Sequence, residues 1–168
     1  MGFFDKLFGK AESAAKFSGA PMTIMAPIDG TVLPQDKIPD ETFATGILGP
    51  GCGIEPTGDT VYAPFDGTVT QVASTLHAVG LQSDDGIELL IHVGMDTVEM
   101  NGQGFTAQVK EGAKVKAGTP LLKVDLDAIR AAGHPTATAI IVTNGDDLAE
   151  MKVVAEGAVT AGTPLIKF

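Results

Sequence analysis

Aromatic side chains are scarce in this chain of 168 residues: there is no Trp, one Tyr and eight Phe. A core without many large rings must be filled by Val, Ile, Leu and Ala, which dominate a hydrophobic content of 44%. The length suffices to bury such a core within one domain. Cysteine is nearly absent. The single Cys52 excludes an internal disulfide and a multi-cysteine zinc site. Within Gly49-Pro50-Gly51-Cys52-Gly53 it reads as an ordinary small residue rather than a nucleophile. Cations are also few, with 11 Lys and Arg against 21 Asp and Glu, a net charge of −10. Nucleic acid is excluded as a partner, because backbone phosphates are bound by clustered Lys and Arg. A basic protein partner suits the charge, since complementary potentials speed encounter. No apolar run approaches the ~20 residues of a membrane-crossing helix. No signal-peptide pattern opens the chain, and Lys6 breaks the myristoylation motif that Met1-Gly2 begins. The chain therefore reads as cytoplasmic.

Glycine and proline, by contrast, are plentiful: 21 and 10 copies. That frequency suits many short strands joined by turns. Apolar segments at about 22–25, 67–72, 87–93 and 138–142 alternate with Gly, Pro, Asp and Asn clusters. One short helix is expected over 126–132, ended by Gly133 and Pro135. Residues 1–18 stand apart. Phe3, Phe4, Leu7 and Phe8 can share a helical face with Lys6, Lys10 and Lys16 on the polar side. Such a segment either lies weakly on an anionic membrane surface, docks on a partner, or is a frayed tail. Residues 19–168 then form one domain.

That domain repeats itself. Ala26-Pro27-Ile28-Asp29-Gly30-Thr31-Val32 recurs as Ala63-Pro64-Phe65-Asp66-Gly67-Thr68-Val69. Ala117-Gly118-Thr119-Pro120-Leu121 recurs as Ala161-Gly162-Thr163-Pro164-Leu165. These segments resemble the turns of biotinyl/lipoyl-like barrel sandwiches. Two copies of each predict an all-β, duplicated and interlocked barrel-sandwich: a β-sandwich of mostly antiparallel strands with at most short helices.

The stretches that carry chemistry are Thr75-Leu76-His77 and Leu89-Leu90-Ile91-His92-Val93-Gly94-Met95-Asp96. Along a strand, Leu89, Ile91 and Val93 face the core, while Leu90, His92 and Gly94 face the other way. Thr75 and His77 share a face if they too lie on a strand. Placing a strand over 69–77 beside 87–93 brings the imidazoles together, with Asp40 and Asp96 at the rim. Neutral imidazole is a nucleophile near pH 7, and its two nitrogens can hold different roles. His92 would attack a phosphoryl group, His77 would donate to its oxygens, and Thr75 would orient His77. A metal site is the rival reading, because His77, His92 and Asp96 are ligand types. The residues alone leave both open, beside the bland reading of two structural histidines. His134, in a Gly-His-Pro loop, is given no role.

In Gly86-Ile87-Glu88-Leu89-Leu90-Ile91-His92-Val93-Gly94-Met95-Asp96-Thr97-Val98, followed by Gly102-Gln103-Gly104-Phe105, the sequence resembles the glucose-class enzyme IIA family of the bacterial phosphoenolpyruvate-dependent sugar phosphotransferase system. Pro39-Asp40-Glu41-Thr42-Phe43-Ala44 and Thr75-Leu76-His77-Ala78 fall in the family's order. The resemblance implies a phosphotransferase component. His92 would take the phosphoryl group from the histidine-containing phosphocarrier protein and pass it to a cysteine of a sugar-specific IIB domain or permease. His77 and Thr75 would be the partner imidazole and its orienting hydroxyl. Phe43, Leu48 and Leu90 match apolar docking positions, and Asp40 and Asp96 match acidic ones. No cofactor is required by this chemistry. Zinc at His77 and His92 would arise in a partner complex. Residues 1–8 resemble the amphipathic start of the free-standing regulator in the family, which suggests peripheral membrane contact and a regulatory role. Two other classes stand beside this one: a non-enzymatic regulatory binding module, and a zinc-binding hydrolase-like protein.

Overall fold

The computed structural model describes residues 17–168. Fourteen strands carry the fold, in chain order β1 (Thr23–Met25), β2 (Gly30–Leu33), β3 (Gly51–Pro56), β4 (Thr60–Tyr62), β5 (Gly67–Val72), β6 (Ala78–Ser83) and β7 (Glu88–Val93). They continue as β8 (Phe105–Ala107), β9 (Lys114–Val115), β10 (Pro120–Val124), β11 (Thr138–Val142), β12 (Lys152–Val153), β13 (Ala158–Val159) and β14 (Pro164–Lys167). Among the described residues two short α-helices interrupt them, α1 (Glu41–Ala44) and α2 (Leu126–Ala131). Helix α2 begins where the Asp125 carboxylate accepts the Ala128 N–H at 3.0 Å, and Gly133 takes a left-handed φ of 83° just past its end.

All strand pairs among the described residues are antiparallel. An eight-stranded sheet runs β13-β2-β3-β11-β7-β6-β5-β9, beside two three-stranded sheets, β1-β14-β12 and β4-β10-β8. The sequence repeat maps onto this order directly. Asp29 accepts the Ala161 N–H at 2.7 Å, and Asp66 accepts the Ala117 N–H at 2.8 Å. Gly162 N–H donates to the Ala26 carbonyl, as Gly118 N–H does to that of Ala63, at 2.9 and 2.8 Å. The first Asp-Gly motif thus takes the last Ala-Gly-Thr-Pro turn, and the second takes the first. That exchange interlocks the halves.

Gly30 and Gly67 occupy matching places in the repeat, and both are forced by close approach. A Cβ at Gly30 would sit 2.3 Å from the Glu55 carbonyl oxygen, and one at Gly67 would sit 2.2 Å from that of Gln82. The main core is aliphatic, as the composition requires, with Ile24, Ile54, Val61, Leu81, Ile91 and Leu122 essentially inaccessible to solvent. Phe17 is buried against Met25 and Ala161, its ring centroid 5.7 Å from that of Tyr62. The amphipathic pattern of residues 1–16 lies outside the described residues.

One expectation fails. Residues 73–77 are not strand: β5 stops at Val72, and the chain reverses through a turn in which Leu76 takes a φ of 62°. Ala73 N–H donates to Ala78 and Leu76 N–H to Ala73, at 3.0 and 2.8 Å. The neighbour of β7 is therefore β6, with Ala78 opposite His92.

Candidate functional site

Strand β7 alternates as its sequence demands, with Leu89, Ile91 and Val93 buried and Leu90 and His92 half-buried on the other face. Across β11 that second face meets Ala139 and Ile141. Ile38, Phe43 and Met95 close over them in a small separate apolar cluster. Helix α1 delivers Phe43. The Asp40 carboxylate caps this helix, accepting the Thr42 N–H at 2.9 Å and the Phe43 N–H at 3.4 Å. The Phe43 ring then lies 4.8 Å from the His92 ring.

His77 reaches the same place from the turn before β6. Its backbone carbonyl accepts the Val93 N–H at 2.8 Å, which extends the β6–β7 ladder by one bond. Its ring packs edge-on to His92, centroids 4.7 Å apart and planes at 83°. Thr75 Oγ1 lies 2.7 Å from His77 Nδ1. The three residues singled out from the sequence therefore converge, although a turn and not a strand presents two of them.

His92 Nδ1 is 2.9 Å from the carbonyl oxygen of Gly94. A carbonyl only accepts, so Nδ1 carries the proton, and in the neutral ring the lone pair is on Nε2. Burial, then the adjacent His77, pushes the His92 pKa down to about 4, against the opposing pull of the Gly94 carbonyl and of Asp40. Burial lowers His77 as well, opposed by its contact with the Thr75 backbone. Both imidazoles are thus neutral bases at pH 7. The site is a pair of uncharged imidazoles rather than a charged cluster.

The acidic positions differ in what they do. Asp40 is half-buried and engaged by α1, whereas Asp96 is exposed in a left-handed conformation, φ 58°. Of the apolar candidates, Phe43 is buried, Leu90 is half-buried and Leu48 is exposed. Ile47, at 77% exposed, and Val98, at 51%, offer more open apolar surface than any of the three. Sequence reasoning passed over both. Each follows a motif residue by a few positions, and nothing in the local pattern announces its exposure. Cys52 is buried, and burial pushes its thiol up to about 12, so it is inert at neutral pH. Among the described residues no three or more His, Cys, Asp and Glu side chains are arranged to hold a metal ion. Among the same residues, no helix is long and apolar enough to cross a membrane.

Residues 22–148 match the family model described as phosphoenolpyruvate-dependent sugar phosphotransferase system, EIIA 1. The glucose-specific EIIA component of Halalkalibacterium halodurans is 42% identical over 161 residues, covering 95% of this chain and 93% of that protein. The mannose-specific EIIBCA component of Corynebacterium glutamicum is also 42% identical, over 89% of this chain, but the chain spans only 22% of its length. Among solved structures, the glucose permease IIA from Mycoplasma capricolum superposes with a TM-score of 0.78 at 33% identity. That match covers 86% of this chain and 93% of the other.

Proposed function

The chain belongs to the EIIA 1 family of the phosphoenolpyruvate-dependent sugar phosphotransferase system, and on that premise we propose that Nε2 of His92 is the atom that receives the phosphoryl group. The observation that carries this reading is the bond between His92 Nδ1 and the Gly94 carbonyl, which leaves Nε2 unprotonated. As Nε2–P forms, the bond from phosphorus to the donor's leaving nitrogen breaks, and the proton stays on Nδ1, hydrogen-bonded to the Gly94 carbonyl. The cationic charge that develops on the ring is then shared with that carbonyl. His77 stabilises the group in flight. Thr75 Oγ1 pairs with His77 Nδ1 at 2.7 Å; in the tautomer where the hydroxyl is the donor, His77 carries its proton on Nε2 and offers it to a phosphoryl oxygen. Burial around the pair excludes water, which protects a labile phosphohistidine from hydrolysis.

The donor in this reading is the histidine-containing phosphocarrier protein, and the acceptor is a cysteine of a sugar-specific IIB domain or permease. Relatives named EIIBCA, in which the matched region is about a quarter of the chain or less, support a partner bearing the B component. Exposed Ile47, Leu48 and Val98 would meet the apolar centre of that partner, with Asp40 and Asp96 towards its basic rim. We place the chain in the cytoplasm, with the part of residues 1–18 that precedes the buried Phe17 as its contact to the inner membrane face. Zinc does not fit the described residues alone, because among them only two imidazoles converge and a tetrahedral site takes four ligands. A zinc-bridged complex would need the partner to supply the rest.

The test is incubation with phosphoenolpyruvate, enzyme I and the histidine phosphocarrier, followed by intact mass and acid lability. Wild type gains one acid-labile phosphoryl group and His92→Ala gains none. His77→Gln accepts the group but passes it on slowly. An adduct of undiminished yield on His92→Ala would overturn the assignment.

A further inference from the structure

We propose that Thr97 is a positioning residue for His92: its hydroxyl holds the Val93–Gly94–Met95 backbone so that the Gly94 carbonyl selects the Nδ1–H tautomer. For its consequence in phosphoryl transfer, this inference rests on the reading above. Thr97 is fully buried, and its Oγ1 donates to the Val93 carbonyl at 2.6 Å. The same residue's methyl sits over Gly94. A Cβ built on Gly94 would lie 2.5 Å from Thr97 Cγ2 and 3.0 Å from the Pro135 carbonyl oxygen.

The consequence is a run of peptides pinned from several sides. Val93 gives its N–H to the His77 carbonyl at 2.8 Å and its own carbonyl to Thr97. The next residue, Gly94, takes a φ of 73°, where a residue with a side chain is strained. In the peptide between Gly94 and Met95, the N–H of Met95 donates to Pro135 at 3.0 Å and the carbonyl faces His92 Nδ1 at 2.9 Å. Only one of these restraints is a side-chain hydroxyl. Without it, the Val93 carbonyl is buried with no side-chain donor, and the cheapest relief is rotation of the adjoining peptide plane. That rotation turns the Gly94 carbonyl away from the imidazole and releases the choice of nitrogen.

Thr97→Val keeps the shape and removes the hydroxyl, whereas Thr97→Ser keeps the hydroxyl and removes the methyl. Two-bond nitrogen–proton NMR spectra of the full chain read the His92 tautomer directly, with no phosphoryl donor present. T97V is expected to lose the pure Nδ1–H pattern. It should accept the phosphoryl group about tenfold more slowly at saturating phosphocarrier, with the KM for that donor unchanged, as a lost hydrogen bond of ordinary strength implies. T97S should hold the wild-type tautomer and rate. A wild-type tautomer in T97V overturns the proposal. A disturbed tautomer in T97S also overturns it, even if T97V does not fold. If wild type accepts no phosphoryl group yet T97V shifts the tautomer, the functional reading fails while the positioning role stands.

Discussion

The two halves of the domain make the same backbone bonds around different side chains. In one half Val93 N–H donates to the His77 carbonyl, and in the other Val142 N–H donates to that of Pro50, both at 2.8 Å. Ala78 lies opposite His92 on the β6–β7 ladder, as Gly51 lies opposite Ile141 on β3–β11. The site formed by His77 and His92 therefore has a counterpart in Pro50 and Ile141, which carries no titratable group. The frame is present twice, and the two imidazoles occupy one copy. What the half with the histidines adds is local: two imidazoles, the Thr75 hydroxyl, and a left-handed Gly94 where the other half has Thr143.

The comparison is broken most severely by exchanging what each side chain does. His92→Ala should abolish phosphoryl acceptance at a smaller cost in stability than emptying a fully buried site, because the His92 ring is only half-buried. Ile141→Ala should retain acceptance and cost about 3 kcal/mol in denaturant unfolding, as emptying a fully buried aliphatic site does. Equal stability losses at the two positions would mean that His92 is packing first and chemistry second.

Acid should separate the halves next. With His92 at about 4 when folded and near 6.5 when unfolded, the unfolded chain binds a proton that the folded chain refuses. Stability is full above pH 6.5 and falls as pH drops towards 4, by on the order of 3 kcal/mol from this group. The lowered His77 adds in the same direction. His92→Gln should flatten most of that slope in unfolding curves measured from pH 7 to 4. A slope that survives would place the acid-sensitive group elsewhere.

The repeat, the strand faces and the pair of histidines were legible because each is a local pattern with a local cause. The Asp-Gly-Thr-Val and Ala-Gly-Thr-Pro segments read as turns, and the alternation through Leu89–Val93 put His92 on the face away from the core. The turn over residues 73–77 was not legible. Its sequence has no Gly or Pro, and it reverses through a left-handed Leu76, a conformation that a residue with a branched side chain does not announce. Thr97 escaped notice for a related reason. Its partner is a backbone carbonyl four residues earlier, and a hydroxyl serving a carbonyl leaves no mark in side-chain spacing. The exposure of Ile47 and Val98 depends on how α1 and the loop after β7 settle on the sheet, which no periodicity encodes.

The smallest expected effect bears on the frame alone, where the halves should behave alike. Asp29 and Asp66 each accept at one carboxylate oxygen from a backbone N–H of the turn beside their own end of the sheet, Ala161 and Ala117. Replacing either with Ala orphans one donor and removes one charge-assisted bond, a loss of about 1.5 kcal/mol. The two sites share no hydrogen-bond partner, so the double variant should lose the sum to within about 0.5 kcal/mol. Urea unfolding of the two single variants and the double variant measures this, with phosphoryl acceptance at a temperature where all remain folded as the control. Matching losses would mean the frame is energetically as well as geometrically duplicated. A cost at Asp66 alone would instead assign the turn beside β5, in the half that carries the histidines, a stabilising role that its counterpart beside β2 has shed.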